Sequence, residues 1–340
     1  AWTSERRERL ALHVHLALLQ MLGSVHSAVR GALPSSASRL AGVTPRAPLT
    51  QKPSRWFAAG ITPGERLASL RTMLRRGQFV RTVEVHSGFS ALVADRASAE
   101  RPSGKQATFD MLWASSLTQS AIKGKPDIET VTTSERVQIV EDVLEVSQKP
   151  ILYDGDTGGE KEVFQFTVKK LERLGVSGVV IEDKRGLKQN SLFGTERKQL
   201  LEEPEVFAEK LRAGKSAQVT DDFMIFARIE ALIAGLGEEE ALRRARVYID
   251  AGGADGIMIH SKVTEPDEIL SFLRRYRAEA PDVPVIVVPT TYNSITEEEL
   301  EAAGANICIY ANQLLRSSYI AMLDTATRIL AAGRSQEVDG

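Results

Sequence analysis

Eight short apolar runs rich in β-branched residues alternate with stretches of helical periodicity from about residue 64 onward, and no other feature constrains the fold as strongly. Apolar runs of this length, without polar alternation, are typical of strands buried on both faces in a parallel sheet covered by helices. Eight strand–helix units favour a closed (β/α)8 barrel of the TIM type over an open sheet. The predicted strands are 79–85, 109–114, 150–153, 178–181, 223–227, 256–259, 283–288 and 307–310.

Helical periodicity and helix-end signals predict the segments between these strands. Thr133 and Ser134 followed by Glu135 are typical of a helix start, and Gly175 and Gly252 are typical of helix ends. The predicted helices are 88–97, 134–147, 160–174, 204–214, 237–252, 266–278, 296–303 and 312–332.

Reactive side chains lie at or after the ends of the predicted strands, whereas the strand starts carry turn residues such as Lys149-Pro150. In a (β/α)8 barrel the C-terminal ends of the strands form the active site. The asymmetry therefore predicts one composite site at that end. The residues at the ends of the second to eighth strands are Trp113, Ser115, Ser116, Asp154, Asp156, Glu182, Asp183, Lys184, Arg228, Glu230, His260, Ser261, Lys262, Pro289, Thr290, Thr291, Asn312 and Gln313.

Asp154, Asp156 and Glu182 form a candidate metal site. The two aspartates are one residue apart in DGDTGG, whose glycines let the chain bend at a strand end, and Glu182 ends the next strand. Mg²⁺ takes oxygen ligands in octahedral geometry and keeps several waters, so one carboxylate bound directly and others holding its waters would satisfy it. The alternative is that Asp-Gly-Asp is an exposed turn. The arrival of Glu182 from a second strand favours Mg²⁺.

Arg228 and His260, at the ends of the fifth and sixth strands, form a candidate anion-binding pair. A guanidinium presents a fork of donors to carboxylate or phosphate oxygens, and His260 can add a hydrogen bond to the same anion. The alternative for Arg228 is a salt bridge with Glu230, and the alternative for His260 is a structural role. Their position at neighbouring strand ends favours anion binding.

The turn at Ser115, Ser116 and Leu117 follows the second strand. Successive backbone N–H groups in such a turn can bind an anion. An ordinary serine-rich turn is the simpler interpretation of these residues taken alone.

The segment 184–191 is long and polar and contains Gly186. These properties suggest a mobile lid that excludes water and brings Lys188 and Asn190 to a substrate. The alternative is a solvated charged loop. Asp127, which follows Gly-Lys-Pro in a polar segment, carries no signal by itself.

The composition of the 340-residue chain, 43% hydrophobic and 26% charged, is ordinary for a soluble globular protein. Its net charge of −2 gives no reason to expect a nucleic-acid partner, and no segment has the roughly 20 apolar residues that a membrane-spanning helix requires. The single cysteine, Cys308, lies in the eighth predicted strand and is expected to be a buried core residue. One cysteine is consistent with a cytoplasmic protein.

Residues 1–60 differ in composition from the remainder, because they hold eight Lys and Arg residues against two acids. We expect a basic N-terminal extension, helical at about 4–23 or disordered, followed by a catalytic domain at 64–335. The Ser- and Ala-rich composition is also compatible with an organelle transit peptide, although a plain extension is favoured.

Taken together, these motifs resemble the phosphoenolpyruvate mutase branch of the isocitrate lyase superfamily. The resemblance runs in order from about residue 64 to 330 and leaves 1–60 outside, and the stretch 98–106 looks longer than usual for the family. The matching segments are EVHSGFSA (84–91), WASSLTQSAIKGKPD (113–127), DGDTGG (154–159), EDKRGLKQNS (182–191), ARIEALIAG (227–235), HSK (260–262) and VPT (288–290).

The resemblance implies a Mg²⁺-dependent reaction on a small-molecule substrate. Asp154 would bind Mg²⁺, with Asp156 and Glu182 helping through water. The same resemblance implies that the last helix is exchanged between neighbouring subunits of a homodimer or homotetramer. The residues that it implies for substrate binding and catalysis are Trp113, Ser115, Ser116, Leu117, Asp127, Lys188, Asn190, Ser191, Arg228 and His260.

The resemblance also implies the activity, which is the interconversion of phosphoenolpyruvate and phosphonopyruvate through a metaphosphate-like transfer. The family's carbon–carbon lyases carry a cysteine in the lid, and its absence from KRGLKQNS argues against them. Asn190 favours the mutase over a phosphonopyruvate hydrolase that gives pyruvate and phosphate. A non-catalytic binding barrel would be favoured by loss of Asp154, Glu182 or Lys188, and all three are present.

Overall fold

The computed structural model describes residues 60–186, 188 and 199–339. Its barrel strands are β1 (Val80–Val85), β4 (Met111–Ala114), β5 (Ile151–Asp154), β6 (Gly178–Glu182), β7 (Met224–Ile229), β8 (Gly256–Ile259), β9 (Val285–Val287) and β10 (Ile307–Tyr310). These eight parallel strands close into a barrel in the order β1-β10-β9-β8-β7-β6-β5-β4, with β4 returning to β1. This is the (β/α)8 architecture that the sequence predicts.

The eight predicted strands are confirmed to within two residues at each end, and the eight predicted helices to within three. Gly175 ends its helix in the left-handed conformation, at φ 78°, because a residue without Cβ tolerates it. The helices are α1 (Pro63–Arg75), α2 (Gly88–Arg96), α3 (Ser116–Ile122), α4 (Thr133–Val146), α5 (Lys161–Leu174), α6 (Pro204–Ala217), α7 (Glu238–Asp250), α8 (Asp267–Glu279), α9 (Glu297–Ala303) and α10 (Gln313–Ala332), with a short 3₁₀ helix at Gln336–Val338.

Two layers of apolar side chains form the core. One layer lies between the strands and the outer helices, and the other fills the barrel interior with residues such as Met111, Leu152, Phe226 and Ile286. Cys308 is confirmed as a buried residue. The barrel is therefore packed rather than hollow, and space for a ligand is left at the strand ends.

Helix α1 was not among the predicted helices. It begins with a capping box in which the side chains of Thr62 and Glu65 each accept from the other residue's backbone N–H, and Pro63 is its first residue. Leu70 of α1 is fully buried in the interior cluster of the barrel. The helix therefore packs against the barrel core as well as preceding β1.

The stretch 98–106 forms most of an antiparallel hairpin outside the barrel. Its strands are β2 (Ser98–Glu100) and β3 (Gln106–Thr108), which pair only with each other. Arg101 at the hairpin pairs with Glu297 and Glu298 of α9. The extra length is thus accommodated on the surface without changing the barrel order.

Helix α10 differs from the other long helices because Leu315 is its one buried residue. Its exposed apolar side chains include Ile320, Met322, Leu323 and Leu330. Within the described ranges, none of the helices has both the length and the apolar character that crossing a bilayer requires. The predicted helix at 4–23 and the rest of 1–59 lie outside the described residues.

Candidate active site

A cavity of about 70 Å³ opens at the C-terminal ends of the strands. The structure brings together eight of the thirteen residues that the family resemblance implies for metal binding, substrate binding and catalysis. The lining residues are Trp113, Ser115, Leu117, Asp127, Asp154, Lys188, Arg228, Met258, His260, Val288, Thr290, Ala311 and Asn312.

The end of β5 directs two aspartates toward this cavity through a sharp backbone turn. Asp156 adopts φ +54°, which is unusual for a residue with a side chain, and its N–H donates to Asp154 Oδ1 at 3.2 Å. A Cβ on Gly155 would lie 2.8 Å from the methyl groups of Val179 and Ile181, so only glycine fits there. The glycine allows β5 to stay close to β6 while the chain turns into the site.

Lys188 brings its ammonium group into the aspartate cluster. Its Nζ lies 2.9 Å from Asp156 Oδ1 and 3.4 Å from both Asp154 Oδ2 and Asp127 Oδ1. The Lys188 side chain is 4% exposed, so water screens these pairs little. The ammonium group of Lys188 therefore forms ion pairs with three buried carboxylates.

Arg136 is the second cation of the cluster, and the sequence analysis missed it. Its Nη1 donates to Asp156 Oδ2 at 2.7 Å, and its guanidinium lies 4.4 Å from the Tyr153 ring centroid. A signal was present, because Arg136 stands at helical spacing from Val140 and Val143 on the buried face of α4. An arginine in an apolar stripe indicates a buried acidic partner.

Asp154 and Asp127 differ in how readily they take a proton. Burial opposes ionisation of Asp154, but the charges of Lys188 and Arg136 outweigh burial and lower its pKa. Burial raises the pKa of Asp127, and Lys188 reduces this effect without cancelling it. Burial also opposes the charged form of Lys188. The negative charges of Asp127, Asp154 and Asp156 outweigh burial and hold the pKa of Lys188 well above the usual range. Lys188 and Asp154 are thus both charged.

A second charged cluster lies beside the first, at the ends of β6 and β7. Arg228 Nε bonds Glu230 and lies 3.6 Å from Glu182 Oε2, while Lys184 Nζ lies 3.3 Å from Glu230 Oε2. Burial raises the pKa of Glu182 to about 7, with Lys184 and Arg228 opposing the shift. The salt bridge from Arg228 to Glu230, the alternative to anion binding, is therefore present, while Arg228 also lines the cavity.

His260 follows β8, three strands from β5 in the barrel order. Burial and the charge of Arg228 lower its pKa to about 4. The imidazole is therefore neutral near pH 7, with one nitrogen able to donate and one able to accept. Its Nδ1 is buried and has no hydrogen-bond partner within the described ranges.

Ser115 and Ser116 lie at the start of α3, which the sequence analysis interpreted as a turn. Ser115 caps the helix by accepting from the N–H of Thr118. Ser116 directs both its N–H and its Oγ at Asp154 Oδ2, at 3.1 and 2.6 Å. Among the N–H groups predicted to bind an anion, the N–H of Ser116 thus donates to the carboxylate of Asp154, which is a candidate metal ligand.

The donor set at β5 and β6 fits a hydrated Mg²⁺ held directly by one carboxylate. Among the described residues, no three His, Cys, Asp or Glu side chains converge closely enough to enclose an ion. Asp154 lines the cavity, and Glu182 Oε1, 3.6 Å from Lys184 Nζ, is buried without a hydrogen-bond partner in the part of the chain that the structure describes. Mg²⁺ commonly takes one or two protein carboxylates and keeps its waters, so a complete protein cage is not needed.

Beneath the charged clusters, Asp183 holds three chain segments together. Its fully buried carboxylate accepts from the Glu230 N–H at 2.9 Å, from Arg244 at 3.0 Å and from Tyr248 at 2.6 Å. Arg244 also donates to the carbonyl oxygen of Glu202. The network fixes the backbone from which Glu182 and Glu230 project.

The loop after β6 begins and ends at one short antiparallel contact. Lys184 pairs with Leu201, and the N–H of Glu202 donates to the Asp183 carbonyl at 2.9 Å. Residues 187 and 189–198, which include Asn190 and Ser191, lie outside the described residues. The backbone N–H of Lys188 donates to Glu129 at 3.3 Å.

Comparison with known proteins assigns the chain and its fold to a family. The family model described as phosphoenolpyruvate phosphomutase matches residues 70–330. The chain belongs to this family. The phosphoenolpyruvate mutase resemblance stated above is thereby confirmed, and the chain is an enzyme of the phosphoenolpyruvate mutase type.

Members of the phosphomutase family and its hydrolase relatives are similar over most of the chain. A phosphoenolpyruvate phosphomutase of Tetrahymena pyriformis is 36% identical over 76% of this chain and 82% of its own length. A phosphoenolpyruvate phosphomutase structure from Streptomyces platensis subsp. rosaceus has a TM-score of 0.73 and 38% identity, covering 80% of this chain and 90% of that one. A phosphonopyruvate hydrolase structure in complex with oxalate and Mg²⁺ has a TM-score of 0.70 and 32% identity, covering 81% and 90%.

Proposed function

We propose that the protein is a Mg²⁺-dependent phosphoenolpyruvate mutase that interconverts phosphoenolpyruvate and phosphonopyruvate. The observation that carries this proposal is the cavity itself, whose lining combines Asp154 at the end of β5 with Arg228 and His260 at the ends of β7 and β8. A substrate with a metal-binding oxo-acid end and a phosphoryl end requires both kinds of group. The substrate of this family's reaction has both ends.

The reaction is an isomerisation in which the P–O bond to the enol oxygen breaks and a C–P bond forms at the methylene carbon. Such transfers require positioning and charge stabilisation more than covalent chemistry by the protein. Bound Mg²⁺ would supply polarisation of the substrate's oxo or enol oxygen. Asp154 would hold the ion directly, and Asp156 and Glu182 would bond its waters.

The remaining side chains would hold the two ends of the substrate. Arg228 offers a guanidinium to the phosphoryl oxygens, and neutral His260 adds one N–H without adding charge. Ser115 and the amide of Leu117 would bind the carboxylate beside Trp113. Lys188, paired with Asp127 near the transferring phosphorus, would complete the site together with Asn190 and Ser191.

Exclusion of water separates a mutase from a hydrolase, because water that reaches the phosphorus gives pyruvate and phosphate. The hydrolase relative at 32% identity makes phosphonopyruvate hydrolysis the second candidate function. Asn190 in the loop favours the mutase.

Phosphorus NMR of the purified protein with phosphonopyruvate and Mg²⁺ tests the proposal. The expected result is a Mg²⁺-dependent phosphoenolpyruvate resonance. Inorganic phosphate with an equal amount of pyruvate would identify a hydrolase instead. If neither phosphoenolpyruvate nor inorganic phosphate appears, both activities are contradicted.

We further propose that residues 64–335 form the catalytic unit, that 1–60 form an extension, and that the enzyme is a homodimer or homotetramer. The exposed apolar side chains of α10 support an assembly in which that helix packs on a neighbouring subunit. Deletion of 1–60 should leave kcat and KM unchanged. A loss of activity in a folded deletion variant would give the extension a part in catalysis.

A further inference from the structure

Asn312 occupies the cap position of α10 without capping it. Asparagine is among the residues that most favour this position, because its side-chain oxygen accepts from the second or third N–H of the helix. Here Asn312 makes no side-chain cap hydrogen bond. The carboxamide is therefore not used for helix stability.

Glu84 makes the bond that Asn312 would otherwise make. The N–H of Leu315, the third residue of α10, donates to Glu84 Oε1 at 2.8 Å. Glu84 is fully buried at the end of β1, and its other oxygen lies 3.0 Å from His86 Nδ1. A carboxylate at a helix start also interacts favourably with the helix dipole. The start of α10 is thus held by the barrel wall.

With its capping role taken over, Asn312 turns to the cavity. The residue is 4% exposed, it lines the cavity, and its Oδ1 is buried with no hydrogen-bond partner among the described residues. A buried polar atom without a partner is costly, so a cavity ligand that bonds the amide would remove this cost. Asn312 therefore has the properties of a ligand-binding side chain.

The position of Asn312 indicates which end of a ligand it meets. In the barrel order β10 stands four strands from β6 in either direction, so Asn312 and Glu182 lie on opposite sides of the mouth. The other lining residues near β8 to β10 are uncharged, with Met258, Val288 and Ala311 beside Thr290 and the neutral His260. An amide among uncharged groups is suited to one directed hydrogen bond.

We propose that Asn312 binds the substrate directly, donating an amide N–H to an anionic oxygen at the end remote from the acidic cluster. Rotation of the carboxamide by 180° about its bond to Cβ exchanges the oxygen and the nitrogen, so either polar atom can face the ligand. A neutral donor adds selectivity for an oxyanion without adding another charge to the ion-pair network. The nature of the oxyanion, a phosphonate or carboxylate, rests on the proposed function.

Three variants test the proposal, with kcat/KM for phosphonopyruvate measured beside the affinity for phosphoenolpyruvate by calorimetry with Mg²⁺. Asn312→Ala should lower both by about 10- to 100-fold, as expected for a hydrogen bond to a charged group. Asn293→Ala, which removes an exposed carboxamide outside the cavity lining, should change neither. Thermal unfolding of each variant shows whether the fold is kept.

Asn312→Asp separates ligand binding from packing. A packing role predicts that aspartate, of the same size as asparagine, binds substrate better than alanine does at that position. Direct bonding to an anion predicts the reverse, because the carboxylate repels it. Equal affinity of Asn312→Ala and wild type would overturn the proposal, as would better binding by Asn312→Asp than by Asn312→Ala.

The two measurements also separate this proposal from the proposed function. Wild-type protein that binds phosphoenolpyruvate without converting phosphonopyruvate would refute the mutase, while the comparison of affinities would still decide the role of Asn312. Wild-type turnover with an Asn312→Ala variant of unchanged kcat/KM would refute only the role of Asn312. A wild-type protein that neither binds nor converts these compounds would overturn both.

Discussion

Lys188 Nζ lies 2.9 Å from Asp156 Oδ1, and the same ammonium is within 3.4 Å of Asp127 and Asp154. The lysine therefore neutralises carboxylates that a Mg²⁺ ion would also approach. The Lys188 ammonium and a Mg²⁺ ion that approach the same carboxylates compete for them, unless one of the two cations moves away. Lys188 and Mg²⁺ should accordingly affect each other's binding.

Lys188→Ala should destabilise the metal-free protein by about 3 kcal/mol, because it leaves buried carboxylates without their counter-ion. Mg²⁺ should restore part of this loss, so the variant should gain more thermal stability from Mg²⁺ than wild type gains. Lys149→Ala is the control, since Lys149 lies before β5 at the opposite end of the barrel. Equal Mg²⁺-induced shifts in wild type and Lys188→Ala would contradict the competition.

Asp154→Ala should abolish turnover and remove the dependence on Mg²⁺, because it deletes the carboxylate proposed to bind the ion directly. Steady-state rates across a Mg²⁺ titration provide the measurement. Asp142→Ala, which removes an exposed carboxylate on α4, is the matched control. Retained Mg²⁺-dependent turnover in Asp154→Ala would show that the ion is held elsewhere.

His260 should make the fold less stable in acid. Its pKa of about 4 in the folded protein lies below the value of about 6.5 expected in the unfolded chain, so the unfolded chain binds more protons between these pH values. Stability should fall by about 3 kcal/mol as the pH drops from 6.5 to 4. Denaturant unfolding of wild type and His260→Gln across this range measures the contribution, and parallel pH profiles would argue against it.

Arg244→Met should cost about 3 to 5 kcal/mol of unfolding free energy, because it leaves the fully buried Asp183 carboxylate without its cation. Arg243→Met, one residue earlier in α7, should cost less than about 1 kcal/mol, since the Arg243 side chain is 47% exposed. Urea titration compares the two. Similar losses of unfolding free energy in the two variants would mean that the buried Asp183 carboxylate does not require the charge of Arg244.

Charged substitutions on α10 should weaken self-association. Leu323 and Leu330 are 54% and 84% exposed, and their replacement by glutamate would place charges in the proposed subunit contact. Light scattering after size exclusion should give a lower mass for Leu323→Glu and Leu330→Glu than for wild type. Thr325→Glu on the same helix controls for added charge, and unchanged masses for all variants would place the contact elsewhere.

The strands and the end of the barrel that carries the site were predictable because both depend on local sequence. Buried parallel strands are continuous apolar runs, and a reactive residue one position past such a run lies at the barrel mouth. Helix α1 was missed although Thr62 and Glu65 form a capping box, since the predicted helices began only after β1. The hairpin at Ser98–Glu100 was missed because its strands are too short and polar to show periodicity.

The ion pairs inside the site were less predictable, because they join residues far apart in sequence. Arg136 reaches Asp156 from α4, and Glu84 reaches the start of α10 from β1. Neither contact has a spacing that a single sequence reveals. Lys188 could be singled out, but the three aspartates around it could not be assigned without the fold.

The short contact between Lys184 and Leu201 joins the two ends of the loop after β6, and Asp183 holds that contact to the barrel. Lengthening a loop whose ends are already fixed costs only about 0.6 kcal/mol per doubling of its length. The segment between Lys188 and Leu201 can thus change in length at little cost while the acids of the site and Lys188 keep their positions. Descendants of such a barrel can acquire new chemistry by exchanging one loop and conserving its anchor.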